Sequence, residues 1–302
     1  MLGRDSSRHL KYLLWAAKAG RTGGDRSCPA CAGAATLLRR KFFVVGLAEC
    51  DSCGLRFRIP KDEASVTNYY QSSYSADYPA HRPPSPDHLS SLIRTGFAHD
   101  PEKNFARYIS FLSAAGLKPG ATVLDFGCSW GFGSWQLLKA GYRVYSYDVS
   151  KPRADYARSS LHCNVVDDLS QIPERLDCLF SSHVIEHLTD PTLIWRIADN
   201  CLSTNGLMIV FCPNGEPARE PLIGRRHYGY LWPQVHPMVI TPRFLRGVSQ
   251  AHGYAGRCFS APYDFDAIGS GTEPPDLLGE ELCLIARRLV PTETTTAPLR
   301  QL

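Results

Sequence analysis

From about Pro101 onward, apolar positions follow two alternating rhythms. Short runs with the length and residue types of strands recur: "ATVLDF" (121–126), "YRVYSYD" (142–148), "LDCLFSSH" (176–183) and "GLMIVFCP" (206–213). Between them, "GSWQLLKAG", "KPRADYARSSL" and "PTLIWRIADNCL" carry apolar residues at helical spacing. "EKNFARYISFLSAAG" predicts a helix ahead of the first strand, with Gly116 as its stop, "TPRFLRGVSQAHGY" a late helix and "EELCLIARRL" a last strand. The alternation predicts an α/β fold, a parallel sheet with helices on both faces.

Upstream the rhythm is different. "RHLKYLLWAAKA" (8–19) suits a short helix, and "GRTGGDRS" breaks it. A cysteine-bearing module from Arg26 to Ile59 precedes the polar, tyrosine-rich "NYYQSSYSADYPAHRPPSPDH". The organisation expected is a basic N-terminal extension at 1–25, a metal ribbon at 26–60 and a linker with a helix at 61–100. The sheet domain follows at 101–290, then a disordered polar tail at 291–302.

A chain of 302 residues with 44% hydrophobic and 21% charged positions is an ordinary globular protein with room for a sizeable core. No apolar run approaches the ~20 residues of a membrane span, and the N-terminus lacks a signal peptide's apolar core, so a cytoplasmic protein is expected. The net charge of +4 is uneven: residues 1–60 hold 11 Lys+Arg against 4 Asp+Glu, the remainder 22 against 25. That basic end suits an anionic partner, whether nucleic acid, phosphorylated substrate or membrane surface, or is simply a solvated face.

The chemistry centres on "TVLDFGCSWGFGSWQLL" (122–138), a strand, a glycine-rich turn and a helix. Its glycines, Gly127, Gly131 and Gly133, do not follow the G-x-G-x-x-G of dinucleotide cradles. The segment instead resembles motif I of class I S-adenosylmethionine-dependent methyltransferases, (V/L)LD-x-G-C-G-x-G, with Ser129 in place of a glycine. Asp148 after "YRVYSY", "VVDD" (165–168), "LDCLFSSHVIEHLTDP" and "NGLMIVFCPN" follow at the family's intervals, so the likeness covers roughly residues 101–290. The resemblance implies a Rossmann-like sheet and S-adenosylmethionine as cofactor. It places Gly127, Cys128 and Gly131 along the methionine part, Cys128 through its backbone alone. Asp125 would face the ammonium directly or through water, Asp148 the ribose hydroxyls and Asp168 the adenine amine.

"CPAC" and "CDSC" present Cys28, Cys31, Cys50 and Cys53 as two C-x-x-C knuckles 18 residues apart, the pattern of a tetrahedral, structural Zn²⁺ site. The seven other cysteines read as buried free thiols. The ribbon with its tyrosine-rich tail resembles the N-terminal part of methyltransferases that include sugar methyltransferases, which implies Tyr69, Tyr70 and Tyr74 over the cofactor pocket. The ribbon and the sheet domain are expected to keep separate cores.

A hydroxyl acceptor needs a base, and histidine suits neutral pH. His236, in the insert "HYGYLWPQVHPMVITP", is the first candidate and His183, at the end of a strand, the second; His187 reads as a loop-stabilising residue. Some quinone-pathway methyltransferases bind a divalent metal through E-x-x-E-H here, but this chain has His183 where the first glutamate stands. Arg225, Arg226, Tyr228, Tyr230 and Trp232 suit a nucleotide- or lipid-linked sugar. The expected reaction is therefore O-methylation of a small-molecule or glycan acceptor. RNA methylation through the basic N-terminal part is the alternative, and a domain that binds cofactor without turnover is the third reading.

Overall fold

The computed structural model describes residues 6–21, 25–61, 83–228, 231–232 and 236–289. Tyr69, Tyr70 and Tyr74 fall outside these, as do Tyr230 and residues 290–302. The N-terminal helix α1 spans Ser6–Arg21. Strands β1 (Ala35–Lys41), β2 (Val45–Cys50) and β3 (Arg56–Ile59) follow, then helices α2 (Pro86–Arg94) and α3 (Ala106–Ala114). The sheet domain continues with β4 (Thr122–Phe126), α4 (Phe132–Lys139), β5 (Arg143–Tyr147), α5 (Lys151–Leu161), β6 (Leu176–Ser182), α6 (Leu193–Cys201) and β7 (Leu202–Pro213). Its last part holds α7 (Glu220–Tyr228), β8 (Met238–Val239), α8 (Pro242–Ala251), β9 (Tyr254–Ser260), α9 (Phe265–Ser270) and β10 (Glu281–Arg288).

Six strands form the main sheet in the order β5-β4-β6-β7-β10-β9. The first four are parallel, and β10 runs antiparallel to both β7 and β9. All five residues of β4 are buried, as expected of a central strand covered on both faces. The chain steps from β4 to β5 on one side and later to β6 on the other, so the carboxyl end of β4 is the switch point where such sheets hold ligands. The segment after α5 contributes only a single parallel bridge, Ser146 to Val165, because "HCNVVDD" is too polar and short to extend it. Strand β9 and helix α9 were not expected from the sequence; β9 alternates weakly in burial and α9 has six residues. Among the described residues no helix is long and apolar enough to cross a membrane.

The ribbon's strands make a second, antiparallel sheet, β1-β2-β3-β8. Its last strand belongs to the segment between β7 and α8: Arg56 pairs with Val239 and Phe57 with Met238. The Arg58 amide also donates to the Pro237 carbonyl at 2.8 Å, and Thr241 Oγ1 to the Gly54 carbonyl at 3.1 Å. Separate cores are therefore not found. Cys28, Cys50, Leu55 and Phe57 share one buried cluster with Trp195, Val210 and Phe244. The reason lies in the ribbon's size: β2 and β3 are buried along almost their whole length, more apolar surface than a module this small can cover by itself.

Candidate functional site

The loop after β4 is shaped by close approach. Gly127 has φ 87°, and a Cβ there would lie 2.2 Å from the Val184 side chain, which follows β6. Gly131 (φ 83°) starts α4, and its Cβ would meet Ala157 of α5 at 2.7 Å. Ser129 occupies the left-handed region at φ 52°, which explains why glycine is the usual residue there. Two bonds hold it: its amide donates to Asp148 Oδ2 at 2.8 Å, and Arg153 donates to its hydroxyl at 3.2 Å.

The amides of Gly127 and Cys128 both donate to the Tyr147 carbonyl, at 2.8 and 3.0 Å. With the Ser129 amide on Asp148, three successive donors are spent on the end of β5. A phosphate cradle needs such amides turned toward the ligand. This loop instead sets the Asp148 carboxylate beside it, which suits a hydroxyl-bearing ligand.

Asp148 accepts from the Ser129 and Ser150 amides, one on each oxygen, and each oxygen keeps a lone pair for a ligand hydroxyl. Burial raises its pKa against those amide bonds and Arg153. Asp168 caps a short 3₁₀ turn by accepting from the Ser170 amide at 2.7 Å, which lowers its pKa. Asp125 is 3% exposed, and burial pushes it up to about 7 although Ser134 donates to it at 2.5 Å. It has almost no surface open for a direct contact with an ammonium group. Cys128 is buried, and its thiol is pushed well above the usual range by that burial; it packs, as the sequence suggested.

The mouth of the site brings three histidines together. His183, just past β6, lies with Nε2 2.9 Å from Glu281 Oε2 and Nδ1 3.3 Å from Glu186 Oε1. Glu281 also accepts from the hydroxyls of Tyr108 (2.6 Å) and Tyr263 (2.8 Å) and from Arg107 (2.9 Å). Burial alone would push the His183 imidazole down, but its two carboxylate partners outweigh that and raise it to about 10. The ring is thus an imidazolium at neutral pH, which argues against its expected role as a proton acceptor. The proximity of Glu281, eighty residues and more beyond the motif, had no signal in the sequence.

His236 stacks edge-on against His187, ring centroids 4.5 Å apart. Burial, with the His187 charge, lowers its pKa to about 4, so the ring is neutral at pH 7. Its Nδ1 is buried with no hydrogen-bond partner. Glu186, 2% exposed, completes the group: one ligand atom each from Glu186, His187 and His236 lie within 4.8 Å of one another. His187 is therefore part of this cluster as well as of its loop. Tyr228 and Trp232, expected as acceptor platforms, are fully buried instead. Tyr228 accepts from Arg56 at 2.5 Å and donates to the Gly215 carbonyl at 2.8 Å; Lys41 Nζ lies 3.9 Å from the Trp232 ring centre. The side chains of Arg225 and Arg226 lie outside the described residues.

The four ribbon cysteines are brought together too. Their Sγ atoms lie within 4.8 Å of one another, with Cys28–Cys53 at 3.5 Å and Cys31–Cys50 at 3.4 Å. These spacings are too long for disulfides. A zinc ion about 2.3 Å from each sulfur would set the sulfurs about 3.8 Å apart, so the group fits one with a few tenths of an ångström of adjustment.

Comparison with known proteins agrees with the fold. A ubiquinone biosynthesis O-methyltransferase of Azorhizobium caulinodans is 30% identical over 137 residues, 42% of this chain and 53% of the relative. Its counterpart in Xanthomonas campestris is 28% identical over 138 residues, 42% and 58% of the two chains. The chain thus spans about half the length of the curated relatives it matches. The magnesium protoporphyrin IX methyltransferase of Synechocystis PCC 6803, with bound SAH, shares the fold at a TM-score of 0.50 and 18% identity, over 75% of this chain and 100% of that one. Residues 97–258 match the family model described as a methyltransferase domain. The chain belongs to that family, and its main sheet is a class I S-adenosylmethionine-dependent methyltransferase domain.

Proposed function

We propose that the protein transfers a methyl group from S-adenosylmethionine to a hydroxyl of a small molecule. The observation that carries this reading is His236: a neutral imidazole with a buried, unpartnered Nδ1, packed against His187 at the mouth of the site. The names of the relatives above, O-methyltransferases, point to the same acceptor atom. A nucleotide- or lipid-linked sugar is the narrower acceptor class, but it loses support with Tyr228 and Trp232 buried. An RNA acceptor has less: Arg39, Arg56 and Lys41 of the basic end are engaged by Glu220, Glu49 and Trp232.

In this reading the cofactor supplies an electrophilic methyl on sulfur. Asp148 holds the ribose hydroxyls, Asp168 meets the adenine amine, and the backbone at Gly127, Cys128 and Gly131 lies along the methionine part. Asp125 acts on the ammonium through water. His236 would take the proton from the acceptor hydroxyl, and the bound cofactor would supply the methyl group that the acceptor oxygen receives. His183 stays an imidazolium, positioned by Glu186 and Glu281. A second reading rests on one further observation, the convergence of Glu186, His187 and His236. The same residues would then hold a divalent cation, which would lower the pKa of the acceptor hydroxyl. Rate that depends on added Mg²⁺ or Mn²⁺, with the ribbon cysteines still loaded, would select this second reading. In the ribbon, the four cysteines hold a structural zinc whose closed coordination leaves no position for substrate.

Three outcomes are expected. Metal analysis of protein expressed in zinc-replete medium gives about one zinc, lost in Cys50→Ser; no zinc with the thiols reduced removes the ribbon assignment. Asp148→Ala weakens cofactor binding roughly tenfold or more, since each charge-assisted hydrogen bond to a hydroxyl contributes about 1.5–3 kcal/mol. Unchanged affinity by calorimetry in a folded variant would show that the nucleoside is held elsewhere. His236→Ala lowers kcat by about 10²–10⁴ with little change in cofactor affinity. The neutral form of His236 is the active one, so wild-type kcat should rise as pH passes upward through about 4 and stay flat across neutrality. A rate still climbing toward about 10 would assign the proton to His183 instead.

A further inference from the structure

The turn between β1 and β2 is built in an unusual way. Phe42 and Phe43 occupy it with φ of 50° and 61°, two successive left-handed positions where glycine or asparagine is the stable choice. The two aromatic rings are nevertheless exposed, Phe43 at 92% and Phe42 at 59%. β1 is an edge strand, and a bulge between Leu37 and Arg39 leaves Leu37 and Leu38 at 37% and 40% exposure beside the turn. The neighbouring helix α1 exposes Leu14 at 63%.

Cations frame this apolar tip. Arg40 and Arg26 are exposed, and both line a groove shared by α1 and the hairpin with Ala16, Ala17, Phe43 and Pro60. Lys18 is exposed on α1. Asp25, a carboxylate that also lines the groove, is ion-paired to Lys61. A hairpin tip with rings exposed at 92% and 59% and a cationic border offers no enclosed stacking platform of the kind that holds nucleic-acid bases. It matches the headgroup region of an anionic bilayer, where rings enter the acyl boundary and cations meet phosphate.

We propose that the β1–β2 tip, Phe42 and Phe43 with Arg40, docks the protein reversibly on an anionic lipid surface. The tip is also tied to the segment that carries His236. Arg39 pairs with Glu220 of α7, and Lys41 donates to the Trp232 carbonyl at 3.3 Å. Docking would therefore hold the segment that carries His236 close to the hairpin that meets the lipid. This inference does not depend on which acceptor is methylated.

The test is sedimentation of the full-length protein with phosphatidylglycerol–phosphatidylcholine vesicles and with phosphatidylcholine vesicles alone. The wild-type protein should pellet with the anionic vesicles, be released by salt, and remain in solution with the neutral ones. The double variant Phe42→Ser/Phe43→Ser should lower partitioning about tenfold or more, and Arg40→Glu about fivefold. Both should keep wild-type cofactor affinity. Wild-type protein that stays in solution with anionic vesicles overturns the proposal, as does a double variant that pellets equally well. So does either alternative occupant: an RNA homopolymer bound through the same phenylalanines with no vesicle binding, or self-association abolished by the double variant in ultracentrifugation.

Discussion

Two residues of strand, Met238 and Val239, join the ribbon to the methyltransferase sheet by pairing with Phe57 and Arg56. The pairing matters because it fixes the residues on either side of it. His236 is two residues before the paired stretch, and Thr241, whose hydroxyl bonds the Gly54 carbonyl, caps the helix that follows. The segment between α7 and α8 has, among the described residues, only this two-residue strand to fix it in a sheet. Buried against a closed cysteine knuckle, it becomes a fixed wall, and its histidine acquires a defined neighbour in His187. The ribbon is best understood as a clamp on that wall rather than as an independent domain, since its strands share one core with Trp195 and Phe244 of the sheet domain.

Behind the wall, charge is divided by environment. His183 and His236 are the same chemical group at the same mouth, but Glu186 and Glu281 hold one as a cation while burial holds the other neutral. Pairs whose surroundings push their protonation apart are the usual basis for dividing acid and base work in a site. On the cofactor side, the loop spends its amides on Tyr147 and Asp148 and so presents carboxylates rather than donors. The strained Ser129 shows what this costs, and its two bonds show how the cost is offset.

Much of this was legible in the chain. The strand–helix rhythm locates the sheet, the glycine spacing separates this loop from a dinucleotide cradle, and the knuckle spacing marks the four cysteines as one group. These signals are local: each is carried by residues within one element or turn. What was not legible is long-range. Glu281 meets His183 across about a hundred residues, and nothing in "GEELCLIARR" marks its first strand residue as a partner. Tyr228 and Trp232 looked like platforms because aromatic residues in a polar insert read as exposed; the ribbon buries them. The shared core was missed for the same reason, since a two-residue strand such as β8 has no periodicity to detect.

Hydrogen–deuterium exchange reads out whether the ribbon holds the His236 wall in place. Amide protection would be followed in peptides covering 236–241 and 56–59, and in the remote strand β5, in the wild-type protein and in Cys50→Ser. The account predicts that the two paired segments lose protection together while β5 stays protected. Loss confined to 56–59, with 236–241 unchanged, would contradict it.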